Sequence, residues 1–312
     1  MASVTESGRI RTRCSLAEPI HDQAEGLRRL LVQNSLRIVT LTSGGTSAGK
    51  TTAVINLAAA LTRIGKSVLV IDENPGAGNV CGLLGLNAHR DLLDVIRRDK
   101  TVQEVVVSSV HGFSILPAGR GMRVLEKLNA GDRAHLIGSF AHITPPFDVV
   151  LIDAAPGRAS HSLSLALSSH EIVVVASPEA ASITAAYALI KYIGGNCQNK
   201  RHYHILINKA VTETEANTIF SNMESAARRY LGISLQFLGY IPYEHKLCPG
   251  NPLPKSLSAA SFGAAFQHAA ESLIQWPFEE DEGRGLERFM QCLLQGSPGG
   301  QGTRMNVVAA ES

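Results

Sequence analysis

Seven short runs of β-branched and apolar residues punctuate the chain: "LRIVTLTS" (36–43), "SVLVIDE" (67–73), "FSILPAG" (113–119), "DVVLIDAAP" (148–156), "EIVVVAS" (171–177), "HYHILIN" (202–208) and "LQFLGYIP" (235–242). Strands that are apolar throughout are buried on both faces. Helical patterns lie between them, the clearest being "KTTAVINLAAALTRIGK" (50–66), which is rich in Ala and Leu and stops at Gly65 as a glycine-capped helix would. The alternation predicts an α/β domain over 36–276, with a doubly wound, mostly parallel sheet flanked by helices.

Two pieces fall outside that domain. In segment 1–35, "DQAEGLRRLLVQ" (22–33) reads as a helix with Asp22 as N-cap and Glu25 placed to complete a capping box. In segment 277–312, Pro277 and the acidic "EEDEG" precede a helix over 286–295, "LERFMQCLLQ" being its sequence, and then a Gly-rich end expected to be disordered. Leu286, Phe289, Met290, Leu293 and Leu294 fall at i, i+3, i+4, i+7 and i+8 and form one apolar stripe.

Composition narrows the functions. With 45% apolar and 18% charged residues, 312 residues can bury one large core or two modest ones. A formal charge of +2 and the lack of any dense Lys/Arg run disfavour a role in coating nucleic acid. Five cysteines, Cys14, Cys81, Cys197, Cys248 and Cys292, include no C-x-x-C pair for a metal, an iron–sulfur cluster or a redox disulfide. His111, His142, His161 and His170 lack metal-ligand spacing and suit surface or turn positions. The N-terminus has no apolar h-region, and no apolar run approaches the ~20 residues of a membrane span. A cytoplasmic protein is expected, with membrane contact only at its surface.

The chemistry is concentrated in "TSGGTSAGKTT" (42–52). Gly44, four residues, then Gly49-Lys50-Thr51 match G-x-x-x-x-G-K-[ST] between a predicted strand and a predicted helix. The backbone N–H groups of Gly44, Gly45, Thr46, Ser47, Ala48, Gly49, Lys50, Thr51 and Thr52 are candidates to cradle phosphate oxygens, Lys50 to reach the β- and γ-phosphates, and the Thr51 hydroxyl to ligate Mg²⁺. Such a loop needs a strand-end carboxylate to organise the metal and its waters, and Asp153 and Asp72 both qualify. Asn208, after a strand, and Pro242, at the end of the last one, are candidate nucleotide contacts; Asn208 could equally close a turn.

These residues resemble the MinD/ParA class of P-loop ATPases and, within it, the FlhG/FleN branch that regulates flagellar number and placement. "DQAEGLRRL" is similar to the N-terminal D-Q-A-x-x-L-R element of that branch, "GNVCGLLGL" to A-N-V-D-x-L-L-G-L, and "SPEAASITAAYALIK" to T-P-E-P-x-x-x-x-D-A-Y-A-L-I-K. The resemblance implies ATP or ADP with Mg²⁺ as cofactors and Thr51, Asp72 and Asp153 around the metal. It also implies an ATP-dependent homodimer and an SRP-type flagellar GTPase (FlhF-like) engaged through Asp22, Gln23, Leu27 and Arg28. The tail stripe would make a reversible membrane contact at the inner membrane or cell pole; docking of that stripe on the domain is the alternative reading of the same residues.

Two positions depart from the class. Its S-G-K-G-G-V-G-K-T loop carries a lysine that crosses the dimer, and Gly45 stands there, with Thr46 and Ser47 in place of the two glycines. Its acidic D-x-D switch is Asp72-Glu73-Asn74, so an amide replaces the carboxylate that orients the attacking water. Losing one preorganised electrostatic group typically costs ~3 kcal/mol of transition-state stabilisation. The expectation is therefore nucleotide binding with slow or absent hydrolysis and weakened dimerisation, unless Glu73 or a partner compensates. A nucleotide-stabilised scaffold without switching, another MinD/ParA-type positioning ATPase and a bacterial tyrosine kinase are the competing readings; the last would want a C-terminal tyrosine cluster, and the chain has no Tyr after Tyr243.

Overall fold

In the computed structural model the apolar runs become the strands of one sheet. The structure describes residues 36–76, 78–141, 143, 146–155, 164–165, 167–196, 202–243, 260–276 and 285–295. The chain divides into two units, Met1–Asn34 and Ser35–Ser312, and all described residues lie in the second. The helix expected over 22–33, with Asp22, Gln23, Leu27 and Arg28, lies outside the described residues, as does the end beyond 295.

The strands are β1 (Arg37–Thr42), β2 (Val68–Asp72), β3 (Val107–Ser108), β4 (Ser114–Pro117), β5 (Val149–Asp153), β6 (Glu171–Ala176), β7 (His202–Ala210) and β8 (Ser234–Pro242). Their order is β3-β4-β2-β5-β1-β6-β7-β8. All neighbours pair in parallel except the two-residue edge strand β3, which pairs antiparallel with β4. Sequence reading missed β3 because two residues carry no periodicity. Elsewhere its boundaries shift by a few residues, as strand ends do when turns compete for the last hydrogen bonds.

The long helices are α1 (Lys50–Arg63), α2 (Ala130–Ala141), α3 (Ala180–Asn196), α4 (Glu213–Leu231), α5 (Ala260–Gln275) and α6 (Leu286–Gln295). Alternate strand residues feed opposite faces of the sheet, as a period of two requires. Val39, Leu41, Val70, Leu151 and Val173 pack with α1 and α5. On the other face, Ile38, Ile71 and Ile152 pack with α2 and α6, while Val174, Ile205 and Ile207 pack with α3 and α4. Both faces are covered, so the strands could be apolar on both sides. Arg37 ties layers together: its guanidinium donates to the carbonyls of Leu273 and Trp276, at 2.5 and 2.9 Å, and pairs with Glu171 at 3.0 Å. The Leu273 carbonyl in the last turn of α5, and the Trp276 carbonyl just beyond it, thereby find donors that the helix itself lacks.

The apolar stripe of α6 corrects one expectation. Leu286, Phe289, Met290, Leu293 and Leu294 are all buried within the cluster that includes Leu136 and Phe140 of α2. Arg133 of α2 donates to the Leu294 carbonyl at 2.9 Å, capping the C-terminal end of α6. The face expected to meet lipid meets the domain instead, because the second core cluster needs a cover there. Among the described residues no helix is long and apolar enough to cross a membrane.

Candidate nucleotide site

Parallel strands place their carboxyl ends along one edge, and β1 lies between β5 and β6, a position where strand order reverses and crevices open. The loop 43–49 leaves β1 at that edge and runs into α1. Gly44 admits no side chain: a Cβ there would sit 2.1 Å from the Ala185 carbonyl carbon of α3. Gly49 has a left-handed backbone, φ +74°, and a Cβ would sit 2.5 Å from the Asn208 amide nitrogen. Glycine at these two places lets the loop close against its supports. Gly45 differs, having no atom within 4 Å of a built Cβ. The Ser43 hydroxyl donates to the Gly45 carbonyl at 2.7 Å, Thr46 and Ser47 are exposed, and Ala48 is buried.

Lys50 and Asp153 form a buried ion pair, and the Thr51 hydroxyl donates to the second Asp153 oxygen at 2.8 Å. One carboxylate at the end of β5 thus holds both side chains that the motif assigns to phosphate and magnesium. Asp72 is its register partner across the β2–β5 pairing. The Asp72 carboxylate accepts backbone N–H groups from Val80 at 2.6 Å and Asn74 at 3.0 Å. Burial first, and the Asp153 charge second, push its carboxyl up to about 7, against the opposing pull of those two N–H groups and of Lys50.

Glu73 and Asn74 are already engaged. The Glu73 carboxylate accepts the Ala155 N–H at 2.5 Å, and the Glu73 N–H donates to the Asp153 carbonyl at 3.1 Å. It staples the ends of β2 and β5 together. The Asn74 side-chain oxygen accepts the Gly76 N–H at 3.0 Å, closing a turn. At the other side of the loop, the Asn208 amide donates to the Ala48 carbonyl at 2.8 Å. Its observed partner is the loop backbone. Pro242 ends β8 opposite Ala210, and the Thr52 carbonyl accepts the Asn56 amide inside α1.

Sequence reading passed over Lys209, whose ammonium donates to the Ser47 carbonyl at 2.7 Å. Its adjacency to Asn208 was visible. Its direction was not, because it depends on an irregularity between β7 and β8.

The donor set fits a nucleotide polyphosphate. Lys50 is a buried cation beside a loop with two glycines pressed on neighbouring elements, and Thr51 offers a hydroxyl for Mg²⁺ near Asp153 and Asp72. No three His, Cys, Asp or Glu side chains gather to hold a metal by themselves among the described residues. Magnesium would therefore depend on phosphate oxygens for much of its coordination.

Known proteins resemble the chain in sequence and in fold. The family described as "AAA domain" matches residues 37–207. The chain is 29% identical to the antiactivator FleN of Pseudomonas aeruginosa over 86% of this chain and 97% of that protein. It is 23% identical to the flagellum site-determining protein YlxH of Helicobacter pylori, over 67% of this chain and 70% of that protein. In fold it is similar to the cell division protein MinD of Aquifex aeolicus, with a TM-score of 0.58 at 22% identity, over 78% of this chain and 98% of that one. With the family matching more than half of its residues and relatives of the same kind matching nearly all of its domain, the chain belongs to the AAA domain family, in the MinD/ParA class of P-loop ATPases.

Proposed function

We propose that the chain is an ATP- and ADP-binding regulator of flagellar number and placement, in which hydrolysis is slow or lost. The observation that carries the nucleotide reading is the Lys50–Asp153–Thr51 cluster at the mouth of the glycine loop. Lys50 would leave Asp153 for the phosphates, and Thr51 would turn its hydroxyl to the metal. Bound Mg²⁺ would neutralise phosphate charge, with Asp153 and Asp72 orienting its waters. The flagellar reading is supported by the similarity to FleN, which spans nearly all of that protein.

Slow turnover follows from Gly45 and Asn74. No lysine projects from position 45, and the Asn74 amide cannot take up charge as a carboxylate does. Glu73, the residue that could compensate, has one of its carboxylate oxygens bonded to the Ala155 N–H. That bond also favours a second reading, a nucleotide-stabilised scaffold that does not switch. Protein partners are part of the proposal: an FlhF-like GTPase through 22–33 and a second copy of the chain.

Titration with fluorescent ADP and ATP, with and without Mg²⁺, tests the site: binding by the natural protein and its loss in Lys50→Ala are expected. Single-turnover phosphate release separates the two readings, since measurable Mg²⁺-dependent turnover excludes the scaffold. Deletion of the gene in its own cell, with flagella counted by electron microscopy, tests the regulatory role; an unchanged count and placement would overturn it.

A further inference from the structure

The strand after α3 ends in an irregularity aimed at the phosphate loop. In the β7–β8 pairing, Asn208 faces Ile241 and Ala210 faces Pro242, so Lys209 is an extra residue on β7. Its backbone is left-handed, φ +63°, one of two non-glycine residues so disposed among the described ones. In a regular strand, consecutive side chains point to opposite faces. A bulge with a left-handed residue re-aims one of them, and bulges gather beside functional sites for that reason. Here both neighbours reach the same loop. Asn208 donates to the Ala48 carbonyl at 2.8 Å, and Lys209 donates to the Ser47 carbonyl at 2.7 Å. The Asn208 oxygen in turn accepts the Lys209 N–H at 3.0 Å, which locks the pair.

A phosphate cradle works only if its N–H groups point inward, which turns its carbonyls outward, where they need donors of their own. We infer that Lys209 is a positioning residue for nucleotide binding: with Asn208 it holds the outward carbonyls of Ser47 and Ala48 and so keeps the loop amides facing the phosphates. Backbone strain that persists at a site needs something to maintain it, and the two side-chain bonds to the loop maintain this one. In a loop with no lysine at position 45, Lys209 is also a cation held against the loop, at an exposed contact with Ser47.

The inference rests on the nucleotide reading for its ligand. The variants are Lys209→Gly, which accepts the left-handed backbone and removes the whole side chain, Lys209→Met, which keeps an apolar stem without the ammonium, and Lys209→Arg. Hydrogen exchange of the 46–49 amides is measured without nucleotide, and affinity for Mg-ADP is measured by titration. Glycine and methionine should speed loop exchange and weaken Mg-ADP about tenfold, the range of one charged hydrogen bond, while arginine should restore both. Loop exchange at the natural rate in both neutral variants, or affinity within about twofold of the natural protein, overturns the inference. If the natural protein binds no Mg-ADP, the nucleotide reading fails separately, and the exchange comparison still decides whether Lys209 holds the loop.

Discussion

Lys50 and Asp153 are 6% and 0% exposed, and each is the other's charge partner. Removing one leaves the other buried without compensation, which typically costs about 3–5 kcal/mol. Lys50→Ala should therefore lower unfolding stability by that order in denaturant titrations, as well as abolish nucleotide binding. Adding Asp153→Ala to it should recover part of the loss. Asp72 makes a different prediction. Burial and the Asp153 charge push its carboxyl up to about 7 in the fold, from the ordinary aspartate value of 3.8 that an unfolded chain takes. Between those values the fold holds a proton that the unfolded chain has released. The associated stability is full below the lower value and is lost as pH rises through about 7. Asp72→Asn should flatten that fall, by at most about 1.4 kcal/mol per pH unit, in metal-free unfolding measured from pH 4 to 8. An unchanged slope would assign the titration elsewhere. Lys50, Thr51, Asp72 and Asp153 were legible in sequence because a glycine loop and apolar runs ending in Asp are local patterns. Lys209 was not, because a bulge arises only when two strands pair.

At the scale of elements, α6 shows how an amphipathic stripe is legible in sequence while its partner stays open between lipid and the domain. The pattern placed all five apolar side chains on one face, which is what the structure has. It held no information on what lies opposite, and a membrane interface and a sheet-covering core both want an apolar face. A helix of ten residues is too short to persist alone in water. Phe289→Asp should therefore release and melt it, so that amides 286–295 exchange at unfolded rates while β1 and β5 stay protected. Continued protection of α6 in that variant would mean that its buried face is not what holds it.

For the molecule as a whole, the question is whether the departures at 45 and 74 can be reversed without disturbing the fold. Gly45 has open space around it, and the turn bond that Asn74 accepts from Gly76 is one an aspartate can accept equally. Gly45→Lys and Asn74→Asp should therefore fold like the natural protein. If each restores one preorganised electrostatic group, single-turnover hydrolysis should rise by about 10²–10³-fold per group, and ATP should increase the dimer fraction seen by light scattering. A natural protein that already hydrolyses and dimerises like the double variant would refute the reading of both positions.

The order of elements, the buried character of the strands and the phosphate loop follow from sequence alone, since each depends on residues close together in the chain: alternation of apolar runs with helical patterns, and glycines at fixed offsets from a lysine. Which distant residues meet was decided by the tertiary structure. Strand order brings Asp153 to Lys50 and Asp72 to Asp153, the β7–β8 bulge turns Lys209 toward Ser47, and the uncovered half of one sheet face takes up α6. The reason is physical: a short motif sets backbone form through nearby sterics and hydrogen bonds, whereas a pairing across a sheet exists only after the crossovers have put the strands side by side.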